Sequence, residues 1–107
     1  MNGPMGEMGS LLKQAQEMQK ALDRAREELR EATVEGTAGG GAVRVTVTGD
    51  RQVTKVEISD EVYGTGDKGM LEDLVVAALR DGLGRAHDLA EERIGRVTGG
   101  VSLPGFF

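Results

Sequence analysis

Between Met8 and Ala32 the apolar residues recur in alternating steps of three and four: Met8, Leu11, Ala15, Met18, Leu22, Ala25, Leu29 and Ala32. That spacing is the stripe of a helix read in heptads, leaving the intervening positions polar. No glycine or proline interrupts it after Gly9, and Ala, Leu, Gln, Glu, Lys and Arg lose little on entering a helix. Ser10 is a candidate cap, although Glu7 and Met8 point to an earlier start. About twenty-five helical residues in this stretch would be roughly 37 Å long, against a radius of gyration of about 13 Å for a compact domain of this size. Such a rod overhangs its own domain. Its stripe therefore needs a second helix, and for much of its length a second copy of the chain is the expected source.

The periodicity changes at Thr33-Val34. Val34-Glu35 reads as a short strand and 36–41, with four glycines, as a flexible connection. Val43, Val45 and Val47 then alternate with Arg44, Thr46 and Thr48, the pattern of a strand with one buried face. Gly49-Asp50-Arg51 turns the chain into a third strand over 53–58, with Val56 and Ile58 expected inward. Asp60 to Lys68 reads as a polar connection in which Asp67 is placed to cap the next helix. From Lys68 to about Val97 that second long helix carries Leu71, Leu74, Val75, Ala78 and Leu79 on its apolar side. Gly82 and Gly84 weaken its middle by about 1 kcal/mol each relative to alanine, which points to a bend or a close contact. The expectation is one α+β domain over 1–107 with the order α-β-β-β-α: a three-stranded antiparallel sheet and two long protruding helices. Residues 1–9 are expected to fray, and 98–107 form a tail whose apolar end could dock.

Composition narrows the possibilities. A chain of 107 residues with two Phe, one Tyr and no Trp builds a thin core of Leu, Val, Ala and Met, for which dimerisation is a usual remedy. The absence of Cys excludes disulfides, thiol nucleophiles and thiolate metal sites. The N-terminus lacks the basic patch and apolar run of a signal peptide, and no segment is long enough to cross a bilayer, so a soluble, cytoplasmic protein is expected. The formal charge of −5 means that nucleic acid would have to be held by a local patch.

Several motifs fail on inspection. Gly64-Thr65-Gly66-Asp67-Lys68-Gly69 spells G-x-G-x-x-G, but a dinucleotide site needs a further parallel strand, and here the helix is followed only by a tail. The glycines of 36–41 are followed by Ala42-Val43 rather than Lys and Ser/Thr, so they form no phosphate loop. His87 is the sole histidine and has only Glu91, four residues on, as a conceivable metal-ligating companion. Glu72 and Asp73 are adjacent on a helix and point apart. No nucleophile has a general base beside it. Neither catalysis, a cofactor, a metal nor a small-molecule substrate is expected.

The basic residues carry more information. Lys13, Lys20 and Arg24 are spaced by seven and four and share a face of the first helix, with Glu17 and Glu28 beside them, either as a solvated face or as a phosphate track. On the second helix Arg85, Leu89, Arg93 and Arg96 step by four, four and three, and the expectation is that the apolar stripe turns basic towards the far end. Asp81, Asp88, Glu91 and Glu92 could neutralise it locally. From residues alone, the reading stops at a dimeric binding module.

The segment from Leu12 through Lys13-Gln14-Ala15-Gln16-Glu17-Met18-Gln19, the run from Gly41 through Val43-Arg44-Val45-Thr46 to Gly49, the stretch from Met70 to Ala78, and Leu103-Pro104-Gly105-Phe106 together resemble the YbaB/EbfC family of bacterial nucleoid-associated proteins. The resemblance runs in order over nearly the whole chain. It implies a tweezer-like homodimer joined through its sheets, binding of double-stranded DNA with little or modest sequence preference, and roles in nucleoid organisation, gene expression or recombination, with recombination or replication proteins as further partners. Lys13, Gln14 and Gln16 match its first-helix motif, and Glu72 and Asp73 its last helix. Where the family commonly has Asn-Asp-Ala this chain has Arg80-Asp81-Gly82, and the stretch after the second helix is short.

The residues and the resemblance lead to two expectations. The first is a DNA-binding protein that contacts phosphates through Lys13, Lys20, Arg24, Arg85, Arg93 and Arg96, without base stacking, since aromatics are few. The second is a dimeric module that binds another protein and has weak or no affinity for DNA.

Overall fold

The computed structural model describes residues 4–99, with side chains from Gly6 onward. Of the fraying expected over 1–9 and the tail expected over 98–107, residues 1–3 and 100–107 lie outside the described residues, while 4–9 belong to the first helix and Thr98 to the last. The chain forms α1 (Pro4–Glu31), β1 (Thr33–Ala38), β2 (Val43–Thr48), β3 (Val53–Ile58), α2 (Asp60–Gly64) and α3 (Lys68–Thr98). The sheet is antiparallel in the order β1-β2-β3. The molecule measures 75 × 20 × 17 Å with a radius of gyration of 20.4 Å, well above the ~13 Å of a compact chain of this length. The overhang expected of the first helix is therefore real.

α3 is the spine. Its buried residues Ala78, Gly82, Ala86, Ala90, Ile94 and Thr98 fall every fourth position, a single line along the helix. The first part of that line packs on the sheet, where Val43, Val45 and Val47 meet Ala78 and Ala86, with Leu71, Leu74 and Leu83 around them. The second part packs on α1, where Leu22, Ala25 and Leu29 meet Ala90 and Ile94. Small residues on the line let both partners approach closely. Asp67 caps α3 as expected: its carboxylate accepts a hydrogen bond from Met70 N–H at 3.0 Å. Gly99, at φ 66°, ends the helix by donating to Gly95 O.

Five sequence expectations need correction. α1 begins at Pro4, so Ser10 lies inside the helix rather than at its cap; proline suits a first helical turn because its missing N–H would have had no helical partner. β1 runs through Gly36 to Ala38, not Val34-Glu35 alone, because pairing with β2 extends to Ala38↔Val43. The connection after β3 contains the short helix α2, capped by Ser59, whose Oγ accepts from Val62 N–H at 3.2 Å. Val56 and Ile58 do not lie in the core: they are 44% and 39% exposed. They share the face of Val45 and Val43 through register, but α3 does not cover β3. Finally, the stripe of α3 does not turn basic; Arg85, Arg93 and Arg96 flank a line that stays buried to Thr98.

Candidate nucleic-acid interface

The packed parts of α1 and α3 form an arm, and along one flank of it runs a groove of about 200 Å³. α1 supplies Arg24 and Glu28, one turn apart; α3 supplies Arg93 and Arg96; Ala25 and Val97 lie at its base. Thus three of the six expected basic residues, separated by about seventy positions in sequence, meet in one place because Ala25 and Leu29 pack on Ala90 and Ile94. Arg93 Nη1 lies 3.7 Å from Glu28 Oε2 across the two helices, and Arg96 Nη2 lies 2.5 Å from Glu92 Oε1 on α3. The Arg96–Glu92 pair is exposed on both sides, whereas the Arg93 side chain is two-thirds covered and its contact to Glu28 is long, so neither carboxylate holds its guanidinium tightly. Arginine at such a groove can present two parallel donors to a phosphate.

Lys13 and Lys20 continue the line of Arg24 along α1, onto the part of the helix that α3 does not reach. There the side chains are exposed, including Met8, Leu11, Leu12 and Met18, the last 45% accessible. The heptad stripe is therefore covered only in part: Leu22, Ala25 and Leu29 pack on α3, Ala32 is half-buried, and Met8, Leu11, Ala15 and Met18 are exposed. Arg85 lies apart, beside the sheet. Its Nε is 3.2 Å from Asp81 Oδ1, and Asp81 Oδ2 accepts a hydrogen bond from Thr37 N–H at 2.9 Å. The Thr37 hydrogen bond lowers the Asp81 pKa from its ordinary value of 3.8, partial desolvation opposes it, and the Arg85 hydrogen bond and charge add to the lowering.

A second surface, missed by the sequence reading, is the outer strand. β3 lies at an edge of the sheet, and Val53, Val56 and Ile58 form an exposed apolar strip on its helix-side face. The pairing shifts at Thr46/Val47 so that Val47 faces Val53, which returns Val53 to the side of Val56. The three valines of β2 satisfied the expectation of a core; only the limited width of a sheet face covered by one long helix could have revealed the strip. The opposite edge differs, because Asp81 occupies Thr37 N–H on β1.

His87 Nε2 lies 3.7 Å from Glu91 Oε2. Among the described residues no group of three or more His, Asp or Glu side chains is placed to hold a metal ion, and no helix is long and apolar enough to cross a membrane.

The sequence profile of the YbaB/EbfC DNA-binding family matches residues 5–101. A nucleoid-associated protein of Pelotomaculum thermopropionicum is 41% identical over 102 residues, covering 95% of this chain and 97% of that one. A nucleoid-associated protein of Exiguobacterium sp. is 48% identical over 102 residues, with the same coverage of each chain. The crystal structure of an uncharacterized protein from Helicobacter pylori has the same fold, with a TM-score of 0.72 at 21% identity over 92% of this chain and all of that one.

Proposed function

Because this chain belongs to the YbaB/EbfC DNA-binding family, we propose that it is a non-enzymatic, nucleoid-associated protein that holds duplex DNA as a homodimer, by phosphate contacts along the α1–α3 arm. The observation that carries the reading is the convergence of Arg24, Arg93 and Arg96 in one groove of a chain whose net charge is −5. Lys13 and Lys20 extend that track outward on α1, and Arg85 belongs to it only if it leaves Asp81. Contacts of this kind read backbone and shape rather than base edges. The open β3 edge supports dimerisation: a partner strand there would complete the hydrogen bonding of the sheet and cover Val53, Val56 and Ile58. Two arms would then project from one joined sheet. The rival reading, a module that binds another protein, draws on the exposed Met8, Leu11, Leu12 and Met18.

The test is a fluorescence-anisotropy titration of a mixed-sequence duplex at 50 and 200 mM salt. Wild type is compared with an Arg24/Arg93/Arg96→Glu variant, each checked by light scattering to be the same oligomer. With about six phosphate contacts per dimer, affinity falls roughly a thousandfold between the two salts, and the variant loses binding. A folded dimer that fails to bind duplex at low salt overturns the DNA reading in favour of the protein-interaction module.

A further inference from the structure

The opposite flank of the arm carries a second and larger cavity, about 260 Å³, which no sequence motif announced. Arg26 and Arg30 enter it from α1 and Arg51 from the β2–β3 turn, above Leu29 and Ile94. Arg24 and Arg26 are two residues apart on a helix and so about 200° apart around its axis. The two arginine groups therefore face away from each other across the α1–α3 seam. Three of the thirteen Lys and Arg residues in an acidic chain converge here.

The turn that delivers Arg51 is fixed in place. Gly49 N–H donates to Ala32 O at 2.9 Å, which ties the turn to the end of α1, and a β-carbon on Gly49 would lie 2.6 Å from Leu29 O. Within the turn, Arg51 N–H donates to Thr48 O at 2.9 Å and Gln52 N–H to Thr48 Oγ1 at 3.0 Å. Arg51 itself has φ 65°, a conformation that glycine takes readily and arginine rarely. An arginine stands where glycine would be easier, and its side chain lines the cavity. Asp50, the carboxylate on the lining, accepts from the Thr48 hydroxyl. Glu27 meets Arg30 at 2.6 Å, with both side chains at least 60% exposed, a pairing that a polyanion can displace.

We infer that Arg26, Arg30 and Arg51 form a second phosphate-binding site, separate from the Arg24/Arg93/Arg96 groove, that takes a backbone phosphate of duplex DNA and makes the arm cationic on both flanks. The inference rests on the DNA-binding reading proposed above. Guanidinium groups set one helical turn apart, with a third on a pinned hairpin, suit the oxygens of a phosphodiester.

The test uses the full-length protein, with the salt dependence of duplex binding measured for wild type, Arg26/Arg30/Arg51→Gln and Arg24/Arg93/Arg96→Gln. The Arg26/Arg30/Arg51 variant binds about tenfold more weakly at moderate salt, with a salt slope shallower by about one unit for each phosphate it no longer neutralises, and its deficit adds to that of the other triple variant. Arg51→Gly separates function from folding: it suits the left-handed backbone, so it keeps or raises the melting temperature while weakening DNA binding. If wild type binds duplex, and Arg26/Arg30/Arg51→Gln binds with unchanged affinity and slope, the second site is overturned while the DNA reading stands. If wild type binds no duplex, the DNA reading itself fails and the second site falls with it. Calorimetric titration with inorganic pyrophosphate identifies a third case: heat that the variant loses, without any duplex effect, replaces DNA by a small phosphorylated ligand and overturns the assignment made here.

Discussion

Gly36 and Gly82 meet backbone to backbone where β1 crosses α3. A β-carbon on Gly36 would lie 2.3 Å from Gly82 N and 2.4 Å from Ala78 O, whereas one on Gly82 would press on the Cγ2 atoms of Val45 and Val47, each at 2.9 Å, and stand 3.4 Å from Gly36 Cα. The two glycines are thus unequal. Gly36→Ala forces a strand off a helix, because the clashing atoms are main chain, and costs about 3 kcal/mol. Gly82→Ala displaces two valine methyls but gains about 1 kcal/mol of helix propensity, so it stays within about 1 kcal/mol of wild type. Urea unfolding of both variants at one fixed protein concentration checks the order.

That contact also shows where sequence reading reached its limit. Gly82 was legible as a point of weakness or close approach within α3, but its counterpart was not, since Gly36 opens a run of glycines that reads as a loop. Strand pairing out to Ala38↔Val43 overrode local propensity there. The alternation of Val43, Val45 and Val47 gave β2 directly, because period-two burial is a property of the strand itself. Val56 and Ile58 show the same period and yet are exposed, since what covers a strand is decided by the reach of α3, not by β3. Likewise Arg24, Arg93 and Arg96 could be named singly, but their meeting follows from the packing of Ala25 on α3, and the place of Arg51 from a turn no periodicity describes.

Asp81 gives a pH dependence with a definite sign. Thr37 N–H and Arg85 favour its ionised form, so its pKa in the fold lies below the ordinary 3.8. A lowered carboxylate pKa contributes stability that is fully present above the unfolded value and is lost as pH falls through the folded one. Asp81→Asn therefore lowers the unfolding midpoint at pH 7, and the gap from wild type narrows as pH drops from about 4 downward. Denaturant curves at several pH values provide the measurement; a gap that widens on acidification would contradict the assigned hydrogen bond.

The exposed strip of β3 predicts how the proposed dimer would be lost. Val56→Glu together with Ile58→Glu places two carboxylates where a partner sheet would bury them, and unpaired buried charge is costly. Light scattering across a dilution series should show dimerisation weakened by at least a hundredfold, which corresponds to about 2.7 kcal/mol. Circular dichroism should change little, because both side chains already face solvent within one chain. Unchanged assembly would move the dimer contact elsewhere, with the uncovered stripe of α1 as the next surface to test.

The acids beside the groove make the last prediction, in which binding improves. Glu28 sits 3.7 Å from Arg93 and Glu92 sits 2.5 Å from Arg96, so in the proposed complex each carboxylate would compete with phosphate for its arginine. Neutralising them removes a competitor and a repelling charge together, while the exposed Arg96–Glu92 pair and the long Arg93–Glu28 contact each contribute only about 0–1 kcal/mol to the fold. Glu28→Gln and Glu92→Gln should each tighten duplex binding about two- to fivefold at low salt, an advantage that shrinks as salt screens the charges. Their melting temperatures should stay near that of wild type. Glu31→Gln, on α1 outside the groove's lining, is the control. If it tightens binding as much as Glu28→Gln does, net charge rather than the groove governs affinity, and the α1–α3 flank loses its claim to be the contact surface.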